Sequence, residues 1–87
     1  MAEVEIYTSA LCGYSHRAKH LLGNKGVKFV EYDVTFDRSK RTEMTERAGG
    51  KTSVPQVFID GKCVGGSDDL IELDLDDELD PMLGIAS

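Results

Sequence analysis

The chain has 87 residues, 16 acidic and 10 basic, and therefore a formal charge of −6. This length suits one domain with a modest core, so we expect residues 1–87 to form a single domain. An acidic chain lacks the basic face that nucleic-acid binding needs, and no apolar run approaches the roughly 18 residues of a membrane span. No leader pattern precedes the first predicted strand, and two cysteines are few for a disulfide-stapled secreted domain. We therefore expect the protein to be located in a reducing cytoplasm.

The first half of the chain predicts two strands and two helices in alternation. Apolar and polar residues alternate over 4–8, which predicts a strand, and apolar residues at helical spacing predict a helix over 14–24. Gly26 suits the left-handed position that ends such a helix. A second strand is predicted over 27–34, followed by a polar helix over 37–48 that stops at a pair of glycines.

The second half predicts a hairpin and a final helix. Residues 54–59 predict a third strand opened by a proline, and the Asp60-Gly61 pair favours a two-residue turn, so residues 62–65 should pair back antiparallel. The final helix is expected to begin with the capping hydroxyl of Ser67 and an acidic first turn. Its apolar side comprises Leu70, Ile71, Leu73 and Leu75, with Leu79, Met82 and Leu83 as an extension.

The element order β-α-β-α-β-β-α predicts an α/β fold. The first two strands flank a helix, so a right-handed crossover should make them parallel. The last two strands form a hairpin and are antiparallel. We therefore expect one mixed sheet of four strands with helices on both faces.

The position of Cys12 makes it a candidate nucleophile. The thiolate, and not the thiol, attacks disulfides. Cys12 lies at the predicted turn from the first strand to the first helix, where unpaired N–H groups and the helix dipole stabilise an anion. Arg17 and Lys19 add positive charge nearby. Position alone fits an inert buried cysteine equally well.

Three segments of the chain share their order and spacing with one protein family. They are Cys12-Gly13-Tyr14-Ser15, Thr52-Ser53-Val54-Pro55 and Gly65-Gly66-Ser67-Asp68-Asp69. Together they resemble the glutaredoxin family, and the resemblance covers nearly the whole chain. It implies a thioredoxin fold and a glutathione-dependent thiol-disulfide oxidoreductase.

The resemblance also implies a role for individual residues. Cys12 matches the nucleophile, and Val54 precedes the family's cis-proline and pairs its backbone with the cysteinyl part of glutathione. The start of the last helix matches the site of the γ-glutamyl end, and Arg41 matches a basic position near the glycine carboxylate. The glutathione-binding residues implied in this way are Tyr14, Arg41, Ser53, Val54, Pro55, Ser67, Asp68 and Asp69. Each of these residues also has an interpretation without a binding role. Tyr14 and Arg41 could be surface residues, Pro55 a trans proline, and Asp68 a helix cap.

The chain departs from the family pattern at three positions. Ser15 stands where many members carry a second cysteine, natively or by an engineered change, and a hydroxyl cannot resolve a mixed disulfide. The expected mechanism is therefore the one-cysteine route, in which a second glutathione releases the first. Ser9 replaces a lysine that precedes the nucleophile in the family, and Lys51 is a candidate to compensate for it.

The third departure raises an alternative function. Gly13 replaces a common proline, and members with glycine here often bind a [2Fe–2S] cluster between two protomers, with Cys12 and glutathione as ligands. That class usually has Cys-Gly-Phe-Ser, an inserted loop and a Trp-Pro pair, which this chain lacks. The expected protein is accordingly a monomeric enzyme that takes glutathione from proteins or small disulfides. The alternatives are a cluster-carrying dimer and a binding module without turnover.

Three further residues have chemistry that the expected function does not use. Cys63, on the predicted fourth strand, fits a packing residue, with pairing to another thiol as the alternative. His16 and His20 lie four apart on one helix face, a spacing that can hold a metal. With no third ligand evident, a surface pair is the favoured interpretation.

Overall fold

The computed structural model describes residues 2–85 and contains four strands and four helices in that range. The strands are β1 (Val4–Thr8), β2 (Val30–Asp33), β3 (Gln56–Ile59) and β4 (Lys62–Gly65). The helices are α1 (Gly13–Asn24), α2 (Arg38–Arg47), α3 (Ser67–Leu75) and α4 (Leu79–Leu83). No helix among these is both long and apolar enough to cross a membrane.

The sheet has the predicted mixed topology. Its strand order is β2-β1-β3-β4, with β1 parallel to β2 and antiparallel to β3, and β3 antiparallel to β4. The register sets Tyr7 of β1 opposite Tyr32 of β2 and Gln56 of β3. The end of β1 therefore lies beside the start of β3, which decides where the functional residues meet.

Helices cover both faces of the sheet, as predicted. Successive residues of a strand point to opposite faces, so Ile6 and Tyr7 belong to different cores. Ile6 packs in one cluster with the apolar sides of α1, α3 and α4. Tyr7 packs in the other with Phe58 and with Met44 of α2. The expected α/β thioredoxin fold is confirmed.

Two strands are shorter than predicted, for different reasons. Val27 does not pair with β1: its N–H bonds instead to the Leu22 carbonyl at 3.4 Å, at the end of α1, so β2 begins only at Val30. The third strand begins at Gln56 because Pro55 has no N–H to donate to the sheet, and the Val54–Pro55 peptide bond is cis. The cis bond itself was expected.

The prediction of one extended final helix was wrong. Asp77 takes a left-handed conformation with φ of 58°, and the chain restarts as the separate helix α4. Leu75 was predicted to belong to the packed apolar side of this helix, but it is 78% exposed. It lies roughly 140° around the helix from the buried Leu70. Lys25, at the end of α1, forms ion pairs with Asp74 and Asp80 and so ties α3 and α4 to it.

Candidate active site

The nucleophile candidate and the cis-proline meet at one edge of the sheet. Cys12 follows β1 and Pro55 precedes β3, and antiparallel pairing brings these two points together. The Cys12 Sγ lies 3.6 Å from the Val54 carbonyl oxygen, to which the thiol donates. Forty-two residues of sequence separate the two groups, yet the fold places them in contact.

Cys12 is the N-cap residue of α1 and is partly exposed. Burial raises the pKa of its thiol, but the N–H and hydroxyl of Ser15 and the N–H of Tyr14 together lower it by more, so the net pKa is below its usual value. The thiolate is thus favoured by helix N-terminal donors, as the position predicted. The nearby cations interact with other side chains and not with the thiol. Lys19 pairs with Glu31 at 3.0 Å, and the Arg17 guanidinium lies 5.8 Å from the centre of the Tyr14 ring.

Ser15 is fully buried beneath the thiol. Its Oγ accepts a hydrogen bond of 3.1 Å from the Ser9 N–H. In this bond the hydroxyl is the acceptor, so its own proton is still available to donate to the Cys12 sulfur. Ser9 therefore supports the thiolate through its backbone and Ser15, without the positive charge of the family's lysine.

A groove of about 300 Å³ opens beside the thiol. One wall is Tyr14, which is 54% exposed, and another is the segment from Ser53 to Pro55. Lys51 lines it from the loop before β3, and the start of α3 closes its other end. This volume is at the lower end of small-molecule sites. The lining residues are Tyr14, Lys51, Ser53, Val54, Pro55, Gln56, Gly66, Ser67, Asp68 and Asp69.

The start of α3 is organised differently from the prediction. The Gly66 N–H donates to the Asp69 carboxylate at 2.9 Å, so Asp69, and not Ser67, caps the helix. Ser67 is only 4% exposed, and its hydroxyl has no hydrogen-bond partner within residues 2–85. A buried polar group without a partner is costly, which makes this hydroxyl a candidate binding group. Asp68 is exposed and lines the same end.

Arg41 is the one candidate binding residue that does not line the groove. Its guanidinium donates to the Thr52 carbonyl at 3.2 Å, on the outer side of the loop that leads to Val54. Arg41 thus supports that loop, and its predicted contact with a glycine carboxylate stays a prediction.

The remaining titratable side chains lie away from the groove. His16 contacts the Ala10 carbonyl at 3.3 Å, and both His16 and His20 are exposed. Across residues 2–85, no group of three or more His, Cys, Asp or Glu residues could hold a metal ion. Cys63 packs against the Tyr7 and Phe58 cluster.

Sequence reasoning missed Gln56. Its side chain is buried and its amide nitrogen donates to the carbonyl and the hydroxyl of Ser53, at 3.0 and 3.2 Å. The available signal was a polar residue directly after a proline in an otherwise apolar strand. Such a residue must find partners when buried.

A partly exposed thiol of lowered pKa, at a helix N-terminus beside a cis-proline, defines a thiol-disulfide oxidoreductase of the thioredoxin fold. The glutaredoxin family model matches residues 4–64. Glutaredoxin 3 of Escherichia coli is 53% identical over 83 residues, covering 95% of this chain and 99% of that protein. A probable glutaredoxin of Synechocystis is 48% identical over 82 residues, 94% of this chain and 93% of the relative.

Solved structures agree with these relatives. The buckwheat glutaredoxin–glutathione complex superimposes with a TM-score of 0.86 at 28% identity, over 98% of this chain and 83% of that one. The glutaredoxin of Brucella melitensis has a TM-score of 0.83 at 44% identity, over 95% and 89% of the two chains. This chain belongs to the glutaredoxin family, and it is an oxidoreductase that acts on thiols and disulfides.

Proposed function

We propose that this glutaredoxin removes glutathione from mixed disulfides with Cys12 as its only reacting thiol. The observation that carries the proposal is the pairing of two features at one groove. The partly exposed Cys12 thiol has a lowered pKa and lies 3.6 Å from the carbonyl oxygen of Val54, which lines the groove. The buried Ser67 hydroxyl, which has no partner among residues 2–85, lies at the α3 end of the same groove.

The first step is attack by the Cys12 thiolate on the glutathione sulfur of the mixed disulfide. A bond forms between the two sulfurs, the original S–S bond breaks, and the substrate leaves as a thiolate that takes a proton from water. In the second step, the thiolate of another glutathione attacks the bound glutathione sulfur. Glutathione disulfide departs and Cys12 is released as the thiolate, so one glutathione is oxidised for each substrate reduced.

The groove matches the chemistry of the γ-glutamyl tripeptide. The backbone of Val54 is available to pair with the cysteinyl unit as an added strand would, and Tyr14 offers a face beside it. The N–H groups at the start of α3 and the Ser67 hydroxyl suit the γ-glutamyl carboxylate, while Asp68 suits its amine. Lys51 is the groove's cation for the glycine carboxylate. The related buckwheat protein has been solved with glutathione, which supports this assignment.

Ser15 limits the reaction to this one-thiol route. It cannot form a disulfide with Cys12, so release depends on a second glutathione. Its hydroxyl instead lowers the pKa of the Cys12 thiol, which makes that sulfur a better leaving group in the second step. The substrates are glutathionylated proteins or small disulfides, and we place the protein, as a monomer, in a reducing cytoplasm where glutathione is abundant.

The test is turnover of a glutathionylated peptide, followed through the glutathione disulfide produced. We expect the unmodified chain to be active and Cys12→Ser to be inactive. Mass mapping after treatment with glutathione disulfide should find the adduct on Cys12 and not on Cys63. An active Cys12→Ser protein, or an inactive unmodified chain, would overturn the proposal.

We keep the cluster-binding alternative because Gly13 matches family members that bind a cluster. This first residue of α1 is exposed, and a Cβ added there would meet nothing within 4 Å, as at Gly23 and Gly61, so the position is open to solvent. A [2Fe–2S] cluster has four sulfur ligands, whereas this site offers one thiol. The residues therefore fit such a cluster only with a second copy and two glutathiones. Anaerobic reconstitution with iron, sulfide and glutathione should then give a coloured dimer, and a colourless monomer would exclude it.

A further inference from the structure

We infer that Gln56 is a positioning residue for glutathione, because its amide holds the Ser53–Val54 wall of the groove in register with Cys12. The inference deepens the proposed function and rests on it. Gln56 is the first residue of β3, is 1% exposed, and lines the groove.

The amide nitrogen of Gln56 bonds twice to one residue. It donates to the Ser53 carbonyl at 3.0 Å and to the Ser53 hydroxyl at 3.2 Å. Ser53 itself is exposed and directly precedes Val54, whose carbonyl lies 3.6 Å from the Cys12 sulfur. The orientation of the groove wall thus depends on the two bonds from Gln56 to Ser53. It also depends on the bond from Arg41 to the Thr52 carbonyl, one residue earlier in the loop.

The amide oxygen of Gln56 is held at the other end. The Cys63 thiol on β4 lies 3.6 Å from it and donates to it. Since an amide has one donor end and one acceptor end, this thiol keeps the oxygen towards β4 and the nitrogen towards the loop. Cys63 accordingly acts on the groove through Gln56 and has no contact of its own there.

A packing role alone would not need an amide. Burying a polar group is costly unless it is hydrogen-bonded, and the neighbouring positions Val57, Phe58 and Ile59 are apolar. Methionine has a similar length and volume but can neither donate to Ser53 nor accept from Cys63. Gln56→Met therefore removes the bonds while keeping the side chain's bulk.

The experiment compares two mixed disulfides of one peptide, one with glutathione and one with cysteine. In Gln56→Met we expect the KM for the glutathionylated peptide to rise about tenfold, because the Ser53–Val54 wall then holds its binding orientation for a smaller fraction of the time, with kcat changed less than twofold. Turnover of the cysteinylated peptide should be unchanged, because cysteine lacks the parts that the groove binds. The pH midpoint of Cys12 alkylation should also stay in place.

Ile59→Val is the matched control, since it makes a small cavity on the same strand away from Ser53 and should alter neither KM.

A second pair tests the amide's orientation: Cys63→Val should raise the KM for the glutathionylated peptide, and Cys63→Ser, which keeps a donor, should raise it less. The inference is overturned if Gln56→Met leaves this KM unchanged or weakens both substrates equally. An unmodified chain that turns over neither peptide would instead overturn the proposed function.

Discussion

The acid strength of Cys12 comes from its immediate neighbours and not from a nearby cation. Burial raises the pKa of its thiol, and the donors of Ser15 and Tyr14 more than compensate. Two of these donors are backbone N–H groups that any sequence would supply at the start of a helix. The third, the Ser15 hydroxyl, depends on the side chain at one position.

Ser15→Ala should therefore raise the pKa of the Cys12 thiol. At neutral pH less of it is then thiolate, so alkylation by iodoacetamide should slow several-fold, while the rate at high pH is unchanged. The measurement is the alkylation rate against pH. Ser39→Ala, at an exposed serine of α2, is the control and should leave the profile unaltered. A profile of Ser15→Ala that superimposes on the unmodified protein would contradict this role.

Ser67→Ala should separate binding from stability. The Ser67 hydroxyl is buried and has no partner in the described part of the chain, so removing it should leave the melting temperature unchanged or slightly higher. If that hydroxyl binds glutathione, the KM for a glutathionylated peptide should rise roughly fivefold, as for one lost hydrogen bond. Thermal unfolding and steady-state kinetics on the same preparation check both halves. A clear fall in melting temperature would mean that the hydroxyl serves the fold.

The start of α3 shows how one short element divides its acidic residues between two tasks. Both carboxylates line the groove, but that of Asp69 also accepts from the Gly66 N–H and so caps the helix. We therefore assign ligand binding to Asp68. Gly65 makes the cap possible: its φ is 108°, and a Cβ there would lie 2.2 Å from the Asp69 carboxylate. Any other residue at Gly65 would displace the cap.

Asp69→Ala and Asp68→Ala should thus affect different properties, the first stability and the second substrate binding. Asp69→Ala loses a helix cap and should lower the free energy of unfolding by about 1 kcal/mol. Asp68→Ala should leave stability unchanged but raise the KM for glutathionylated peptide. Urea unfolding and kinetics on both variants test the division, and Asp69→Asn, which keeps an acceptor, should recover most of the lost stability. Equal destabilisation by both alanine variants would argue against it.

The two cores of the molecule are built differently. The cluster under α1, α3 and α4 is apolar, whereas α2 is joined to the sheet through polar contacts as well. Arg47 of α2 makes a two-bond ion pair with Glu5 at 2.9 and 3.0 Å, and donates to the Tyr7 hydroxyl at 2.9 Å. Its guanidinium also lies 4.1 Å from the centre of the Phe58 ring. This network lies on the face of Tyr7, away from the cluster that contains α1 and α3.

Arg47→Met should therefore destabilise the protein without shifting the pKa of the Cys12 thiol, whose donors belong to α1. We expect a loss of about 2 kcal/mol at neutral pH, since several charge-assisted contacts disappear together. Unfolding by urea measures the loss, and the Cys12 alkylation profile serves as the internal control. A shifted profile would show that α2 and the active site are coupled.

The same ion pair should make stability depend on pH in the acid range. The Arg47 bond lowers the pKa of Glu5 despite the opposing effect of burial, so the folded state binds this proton less readily than the unfolded chain. The stabilisation is complete above the ordinary glutamate pKa, about 4.3. It is lost as pH falls through the lower pKa of the folded state. Urea unfolding from pH 7 down to about pH 3 should show a shallower decline for Glu5→Gln than for the unmodified protein.

The strands, most of the helices and the nucleophile could be predicted because their signals are local. Alternation in β1, the Asp60-Gly61 turn of the hairpin and the helical spacing in α1 each lie within a few adjacent residues. The motif around Cys12 is equally local, so its position at a helix start was visible. The end of α3 was harder, because the left-handed turn at Asp77 leaves no strong signal in the sequence.

What required the tertiary structure are the contacts that individual side chains make, both between distant segments and within a single turn. Strand register brings the Val54 carbonyl to the Cys12 sulfur and Gln56 between Ser53 and Cys63. Competition among neighbouring side chains gives the α3 cap to Asp69 and leaves Ser67 facing the groove. A pattern of residue types reveals which groups can hydrogen-bond, but which of them do so depends on distances of a few tenths of an ångström. Those distances exist only once the helices have packed on the sheet.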